Sequence, residues 1–377
     1  MLPFCDQDQS ALRARARAWT EKWLFDRSEE DTDERARRLV RQLGQESFLN
    51  YVIAKDYGGA RSQVQARDLC ILREELARGD ALADTMFAMQ ALGSYPITRA
   101  GSDEQKGRYL SRIARGNCIA AFALTEAAAG SDVASLATRA IRHGNGFQLT
   151  GTKRFISNAG IADSYIVFAS TNPDLRGKGI STFIVDATTP GLIVKERTAL
   201  LSPHPIGIIS LDNCNVPENT LIGKEGQGLQ IAFQTLDLLR CTVGAAAVGL
   251  AQRALEEAIQ YGKQRRQFGQ AIAEFQGTAF KLAEMATDLE AARLLVYQAA
   301  WAHDCGGDHA KQQSSMAKLY ATEAAQQIVD QALQIHGANG LIAGSITEQL
   351  YRDVRALRIY EGTSEIQKLI IARELLK

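Results

Sequence analysis

Apolar positions recur at three- and four-residue spacing over Asp8 to Phe25, Thr32 to Leu43, Val64 to Arg78 and Asp84 to Leu92. This period predicts amphipathic helices in the first 117 residues, interrupted by Gly58-Gly59 and Pro96. From Ile119 to Val216 the period shortens to alternation. Ile119-Leu124, Gly146-Leu149, Tyr165-Ala169, Thr182-Val185 and Ile208-Leu211 read as strands, punctuated by Gly144-Asn145-Gly146 and Pro190-Gly191. After Gly228 the helical period returns, with Met316, Tyr320, Ala324 and Ile328 on one stripe and Ala325, Val329 and Leu333 beside it. Long Ala- and Leu-rich helices of this kind pack as a bundle. The fold class expected is therefore α+β and multidomain: a helical part over 1–117, a β-barrel or sandwich over 118–223 and a helical bundle over 224–377. Strands do not alternate with helices, which argues against a doubly wound nucleotide fold.

Composition bears on partners more than on fold. Lys plus Arg and Asp plus Glu are 43 each, so no global field draws the chain to nucleic acid or anionic lipid. The segment Met1 to Trp23 mixes Arg13, Arg15 and Arg17 with acidic residues, and no run of 18 apolar residues occurs, so a soluble cytoplasmic protein without a membrane anchor is expected. Six scattered cysteines show no C-x-x-C pair and the five histidines no metal spacing. Free thiols and no metal are expected.

Candidate chemistry is clearest in Arg358-Ile359-Tyr360-Glu361-Gly362-Thr363-Ser364-Glu365-Ile366-Gln367. Glu348 to Ile359 reads as helical, and Ser364 with Gln367 has capping-box spacing for a second helix. Gly362 permits a sharp turn between them. Glu361, stranded at the break, could abstract a proton while its unclaimed N–H binds a developing oxyanion. Taken alone, it reads first as a surface glutamate near a helix start, since perturbed active-site carboxylates are a minority. Two small-residue loops in the strand region, Thr125 to Asp132 and Lys153 to Gly160, offer hydroxyls and an aromatic ring to a planar ligand. Strand alternation would turn Phe155 and Ser157 to one face. Arg265 and Arg266 end a helix, where they could fork to a pyrophosphate or merely neutralise the helix terminus. His336 reads as structural, and His204, between two prolines, as a loop residue.

Taken together these motifs resemble the acyl-CoA dehydrogenase family along essentially the whole chain. The T-E-x-x-x-G-S-D loop, the K-x-[WF]-I-[ST]-N-[AG] strand, the Y-x-x-x-R-x-x-F-G helix end, the Q-x-x-G-[GA]-x-G turn and the Y-E-G-T segment all occur in order. The resemblance implies FAD as cofactor, a homotetramer, and a C-terminal four-helix bundle. It implies that Phe122, Leu124, Thr125, Phe155 and Ser157 line the flavin ring, with Ser131 near both flavin and substrate. Arg265, Gln267, Phe268, Gln334, Gly337 and Ala338 would reach the FAD of a neighbouring subunit, and Thr363 and Glu365 that of their own. Asp237 and Arg240 match positions that contact the pantetheine of CoA, and Tyr360, Glu361 and Gly362 would meet the acyl thioester.

The implied reaction is removal of the Cα proton by Glu361 with hydride transfer from Cβ to FAD N5, giving a trans-2-enoyl thioester. Burial beside an acyl chain should raise the Glu361 pKa. Electron-transfer flavoprotein is the expected acceptor. Some relatives carry the base directly before the arginine of the L-D-x-x-R helix; here that position is Leu239. Phe155 stands where a tryptophan is common, Leu201 to Gly207 replaces a G-I-R-G-S type of sequence, and Ala127 to Ala129 lacks a Pro-Gly. Leu82 to Pro96 holds no arginine, which argues against pairing with a distal acyl carboxylate. A short, branched or alicyclic acyl-CoA is preferred. Alternatives are a thioester oxidase, a dehydrogenase of carrier-protein-bound acyl groups, and a non-catalytic binding or assembly protein that keeps the fold.

Overall fold

The computed structural model describes residues 4–23 and 31–377. Two compact units emerge. One takes in the described residues up to Trp23, Gln65–Asp84 and Asp237–Lys377; the other takes in residues 31–64 and Thr85–Leu236.

The helices are α1 (Gln7–Trp23), α2 (Thr32–Gln45), α3 (Ala66–Gly79), α4 (Ala81–Ala100), α5 (Asp103–Ala114), α6 (Gly228–Gln264), α7 (Gln276–Asp304), α8 (Ala310–His336), α9 (Ile346–Ala356) and α10 (Ser364–Leu375). The expected end of the first helix at Phe25 lies outside the described residues. Pro96 was expected to break α4, yet the helix runs through it to Ala100. Burial of Met86, Phe87, Leu92 and Ile97 outweighs the roughly 3 kcal/mol that an interior proline costs. The long apolar helix α6 is a core element: Val243 to Val248 are all buried, and a Cβ added at Gly244 would meet Val296 at 2.8 Å.

In the first unit α1 and α3 pack with the C-terminal helices rather than standing apart from them. A buried charge cluster ties them: Glu74 on α3 accepts from Arg13 on α1, and from Arg293 and Tyr297 on α7. Asp304 at the end of α7 caps α3, accepting from the N–H groups of Ala66 and Arg67. On α8 the expected stripes hold at Ala324, Ala325, Ile328 and Val329, which are buried, but Tyr320 is 38% exposed and the buried face continues instead through Ser314, Ala317, Lys318 and Ala321.

The second unit is built on strands β1 (Ala120–Ala123), β2 (Arg139–His143), β3 (Gly146–Ser157), β4 (Ser164–Ser170), β5 (Ile180–Asp186), β6 (Leu192–Arg197), β7 (Ile206–Pro217) and β8 (Leu221–Ile222). They form an eight-stranded sheet in the order β6-β7-β3-β2-β4-β5-β8, with β1 parallel to β4. Strand β3 is far longer than the expected Gly146-Leu149, and so takes in the segment Lys153-Ser157, expected as part of a loop. Gln90 of α4 fixes the entry to β1, donating to Cys118 O and accepting from Ala120 N–H.

Candidate active site

The turn that carries Glu361 is built differently from the expected capping box. Helix α9 ends at Ala356, not Ile359, and α10 is capped by Thr363, whose hydroxyl accepts from Ile366 N–H at 3.3 Å. Ser364 instead donates to Glu323 Oε1 at 2.6 Å, and Gln367 turns back to donate to Gly362 O at 2.9 Å and Glu361 O at 3.4 Å. Arg358 pairs with the other oxygen of Glu323 at 2.6 Å, so one carboxylate on α8 fastens both sides of the turn. Lys318, also on α8, donates to Gly362 O at 2.6 Å. Against this cradle Glu361 adopts φ 53°, a left-handed conformation costly for a residue with a Cβ. Gly362 follows at φ 95°, and a Cβ there would meet Gln367 Nε2 at 2.6 Å.

The carboxylate that results is enclosed but unattached. Its side chain is 10% exposed, Oε1 lies 4.0 Å from Arg73 Nη1, and Oε2 is buried without a hydrogen-bond partner. Its backbone N–H makes no hydrogen bond among the described residues. Burial raises its pKa above the ordinary carboxylate range, opposed by Arg73 and Lys318 and assisted by Asp84. Arg73 on α3 is itself pinned, donating to Asp84 from Nε at 2.8 Å and Nη2 at 2.9 Å, and to Thr242 Oγ1 at 3.0 Å. A guanidinium therefore reaches the expected arginine-free segment from another helix, with its charge already committed to Asp84. Tyr360 is 39% exposed, and burial of its hydroxyl together with Asp84 and Glu361 raises its pKa. On α6, Arg240 pairs with Asp237 and keeps a buried Nε without a partner. Leu239 is buried in the core.

The sheet unit holds a second cluster. Glu126 accepts from Ala137 N–H at 2.6 Å, Thr138 N–H at 3.0 Å, Thr138 Oγ1 at 2.5 Å and Lys153 Nζ at 2.8 Å. Lys153, fully buried, also donates to Leu124 O at 3.1 Å, so the pair locks the Thr125-Asp132 loop to β3. Lys153 and its hydrogen-bond donors hold Glu126 below the usual carboxylate range, while burial brings Lys153 down to about 8. Alternation does not place Phe155 and Ser157 as expected. A β-bulge between Lys153 and Ile156 puts Phe155 at φ 56° and leaves its ring 48% exposed, with the Arg154 guanidinium 4.9 Å from its centre. Ser157 meets His204 Nε2 at 3.1 Å, and His204 Nδ1 faces Ser202 O at 3.2 Å. Burial keeps His204 neutral; Nδ1 carries the proton because it faces a carbonyl, so Ser157 is the donor to Nε2. Phe122 packs on Phe168 at 4.9 Å, Leu124 is buried, Thr125 is half-buried, and Ser131 is exposed. An exposed ring beside hydroxyls and small residues suits a planar heterocycle.

In the helical unit a further group is open to solvent. A hairpin of β9 (Arg266–Gln267) and β10 (Gln270–Ala271) carries Phe268 at 95% exposure, with Arg265 and Gln267 also exposed. Gln334, Gly337 and Ala338 are exposed at the end of α8. Glu365 is exposed, and its pKa is lowered by its own backbone N–H and the Thr363 hydroxyl. His336 is structural, stacked on Tyr261 at 4.4 Å. Sequence reasoning missed four groups: Lys318, the Arg73–Asp84 pair, the Lys153–Glu126 pair and the Ser157–His204 contact. Only the second pair left a signal, since both of its members fall inside the quoted motifs.

Profiles for the N-terminal, middle and C-terminal domains of acyl-CoA dehydrogenase match residues 6–117, 121–214 and 226–376. The chain is 42% identical over 375 residues to an acyl-CoA dehydrogenase of Bacillus subtilis, covering 98% of each chain. It is 38% identical to the cyclohexane-1-carbonyl-CoA dehydrogenase of Geobacter metallireducens, over 88% of this chain and 87% of that one. With the caffeyl-CoA reductase-Etf complex subunit CarC of Acetobacterium woodii it shares 36% over 99% of this chain and 100% of that one. The structure of butyryl-CoA dehydrogenase from Megasphaera elsdenii superposes with a TM-score of 0.93 at 32% identity, over 99% of both chains. The chain belongs to the acyl-CoA dehydrogenase family. It is accordingly a flavoprotein oxidoreductase that uses FAD, with the family's order of helical, β and helical domains.

Proposed function

We propose that the protein dehydrogenates an acyl-CoA thioester across Cα–Cβ to the trans-2-enoyl-CoA, with Glu361 as the base. The observation that carries this reading is the Glu361 carboxylate: buried, with Oε2 free of any partner and its peptide N–H unclaimed. In this reading Oε2 takes the Cα proton, and the Glu361 N–H binds the thioester oxygen as negative charge develops on it. Bound FAD supplies the hydride acceptor. Phe122, Leu124, Thr125, Phe155 and Ser157 would hold its ring, with Thr363 and Glu365 at its far part. Asp237 and Arg240 orient the pantetheine, Ser131 meets both ligands, and Tyr360 and Gly362 flank the acyl group.

A short, branched or alicyclic acyl group is our preference, supported by similarity to enzymes named for butyryl-CoA and cyclohexane-1-carbonyl-CoA. An electron-transfer flavoprotein is the proposed acceptor, in keeping with the relative named as part of an Etf complex. Arg265, Gln267, Phe268, Gln334, Gly337 and Ala338 are proposed to reach the FAD of a neighbouring copy in a homotetramer; the 95% exposure of Phe268 favours such a contact.

Anaerobic titration of the yellow protein with butyryl-CoA, isobutyryl-CoA and cyclohexanecarbonyl-CoA tests the reading. Flavin bleaching by at least one of them is expected, with slow return of colour in air. Bleaching only by carrier-protein thioesters, or rapid reoxidation by O2, would replace it with the carrier-bound or oxidase alternative.

A further inference from the structure

Lys318 lies on a face of α8 otherwise made of small residues, Ser314, Ala317, Ala321 and Ala325, and is fully buried. Its ammonium donates to Gly362 O, yet that carbonyl already accepts from Gln367 Nε2. Among the described residues no carboxylate forms an ion pair with it. A neutral donor would satisfy the carbonyl at lower cost, since burial brings this ammonium down to about 8.

What the charge does there follows from its neighbours. The groups that act on Glu361 are Arg73 from α3, Asp84 from α4, Arg240 from α6, Lys318 from α8 and Tyr360 from its own turn. Arg73 is bound by both oxygens of Asp84, and Arg240 is paired with Asp237. Glu323, near Lys318, is engaged by Arg358 and Ser364, and Glu365 is exposed. Lys318 is thus the one cation facing Glu361, among the described residues, that no ion pair neutralises.

We infer that Lys318 is a positioning residue for the base: it fixes the Glu361–Gly362 peptide in its turn and keeps the carboxylate in the ionised form that can accept a proton. The inference rests on the reading of Glu361 as base. It is distinct from an anchoring role, because it assigns the charge, and not only the hydrogen bond, to catalysis.

The test follows flavin reduction by butyryl-CoA under anaerobic conditions in the FAD-loaded wild type, Lys318→Met, Lys318→Gln and Glu361→Gln, with thermal unfolding alongside. Lys318→Met should lower the reduction rate about 10²-fold, with the butyryl-CoA dependence little changed, and move the rising limb of the pH profile to higher pH. Lys318→Gln retains a neutral donor; it should recover part of the rate and still show the alkaline displacement. It decides the matter should Lys318→Met unfold early. A 13C titration of the Glu361 carboxyl in each variant reads the same displacement without turnover. A wild-type pH profile and carboxyl titration in both variants would overturn the inference, even if Lys318→Met were less stable. If Glu361→Gln reduces flavin normally, the reading of the base itself fails, which is a different result.

Discussion

Among the described residues two lysines, Lys153 and Lys318, are fully buried, and burial brings both down to about 8. Lys153 in the sheet unit closes on Glu126 at 2.8 Å, and both oxygens of that carboxylate accept further hydrogen bonds from Ala137 and Thr138. Lys318 in the helical unit closes only on a carbonyl, while the carboxylate it influences keeps an oxygen without a partner. The first arrangement is complete and holds a loop in place. The second stops one hydrogen bond short, which leaves Glu361 able to take a proton. The same burial thus serves scaffold or chemistry depending on whether the anion is satisfied, and the two carboxylates respond oppositely: Glu126 falls below its ordinary pKa and Glu361 rises above it.

The largest expected effect breaks the reactive side. Glu361→Gln should slow flavin reduction by about 10⁴-fold, roughly 5 kcal/mol of barrier, with FAD still bound. Stopped-flow absorbance in the flavin band measures it. The same variant should be no less stable at neutral pH, because a raised carboxyl pKa favours the folded state below the unfolded value and loses that contribution as pH rises through the folded one.

Breaking the scaffold side comes next. Lys153→Met leaves Glu126 buried without its cation and should cost about 3–5 kcal/mol, read as a lower unfolding midpoint and loss of FAD. The Glu126 contribution has the opposite pH sense: it is present above the unfolded carboxylate pKa and lost as pH falls through the lowered folded value. Acid should therefore weaken the sheet unit through Glu126, whereas Glu361 contributes no such loss.

Smaller effects sharpen the contrast. Arg265→Ala should remove a charge-assisted contact of about 2 kcal/mol, weakening FAD retention and oligomer together in ultrafiltration and sedimentation measurements. Normal retention in a stable assembly would remove the cross-subunit role. His204→Ala should cost about 1 kcal/mol or less in stability, since Ser157 loses its acceptor but not its place on β3. Its sharper readout is the flavin absorbance spectrum, because the Ser157 proton would then be free to turn toward the cofactor.

Much of this was legible in the residues. The change of period near residue 118 and its reversal after Gly228 marked where helices give way to the sheet, and Glu361 stood out by its place between two helical stretches. Local chemistry blurred the details. A helix end at Ile359 and a box at Ser364–Gln367 were reasonable by spacing, but Ser364 and Gln367 had better partners in Glu323 and the Glu361–Gly362 carbonyls. The Ser102–Gln105 spacing that opens α5 does form a capping box. Phe155 and Ser157 obeyed a bulge rather than alternation, and bulges leave no residue pattern of their own unless a glycine marks them. Lys318 escaped notice for a different reason. It sits among Ala and Ser, and hydrophobic periodicity cannot register a buried cation or a face of small side chains. Arg73 was invisible because its partner Asp84 and its neighbour Glu361 lie on other elements, and pairing across elements is a property of the fold.

The central claim is that Glu361 is an ionised base kept free of hydrogen bonds. It is tested most directly by the rate of anaerobic flavin reduction by a bleaching acyl-CoA, measured between about pH 5 and 9 in wild type and Glu361→Gln. The rising limb of the rate should follow an ionisation above the ordinary carboxylate range, and the Gln variant should be about 10⁴-fold slower and lack that limb. A pH-independent rate, or reduction of the Gln variant at the wild-type rate, would contradict it.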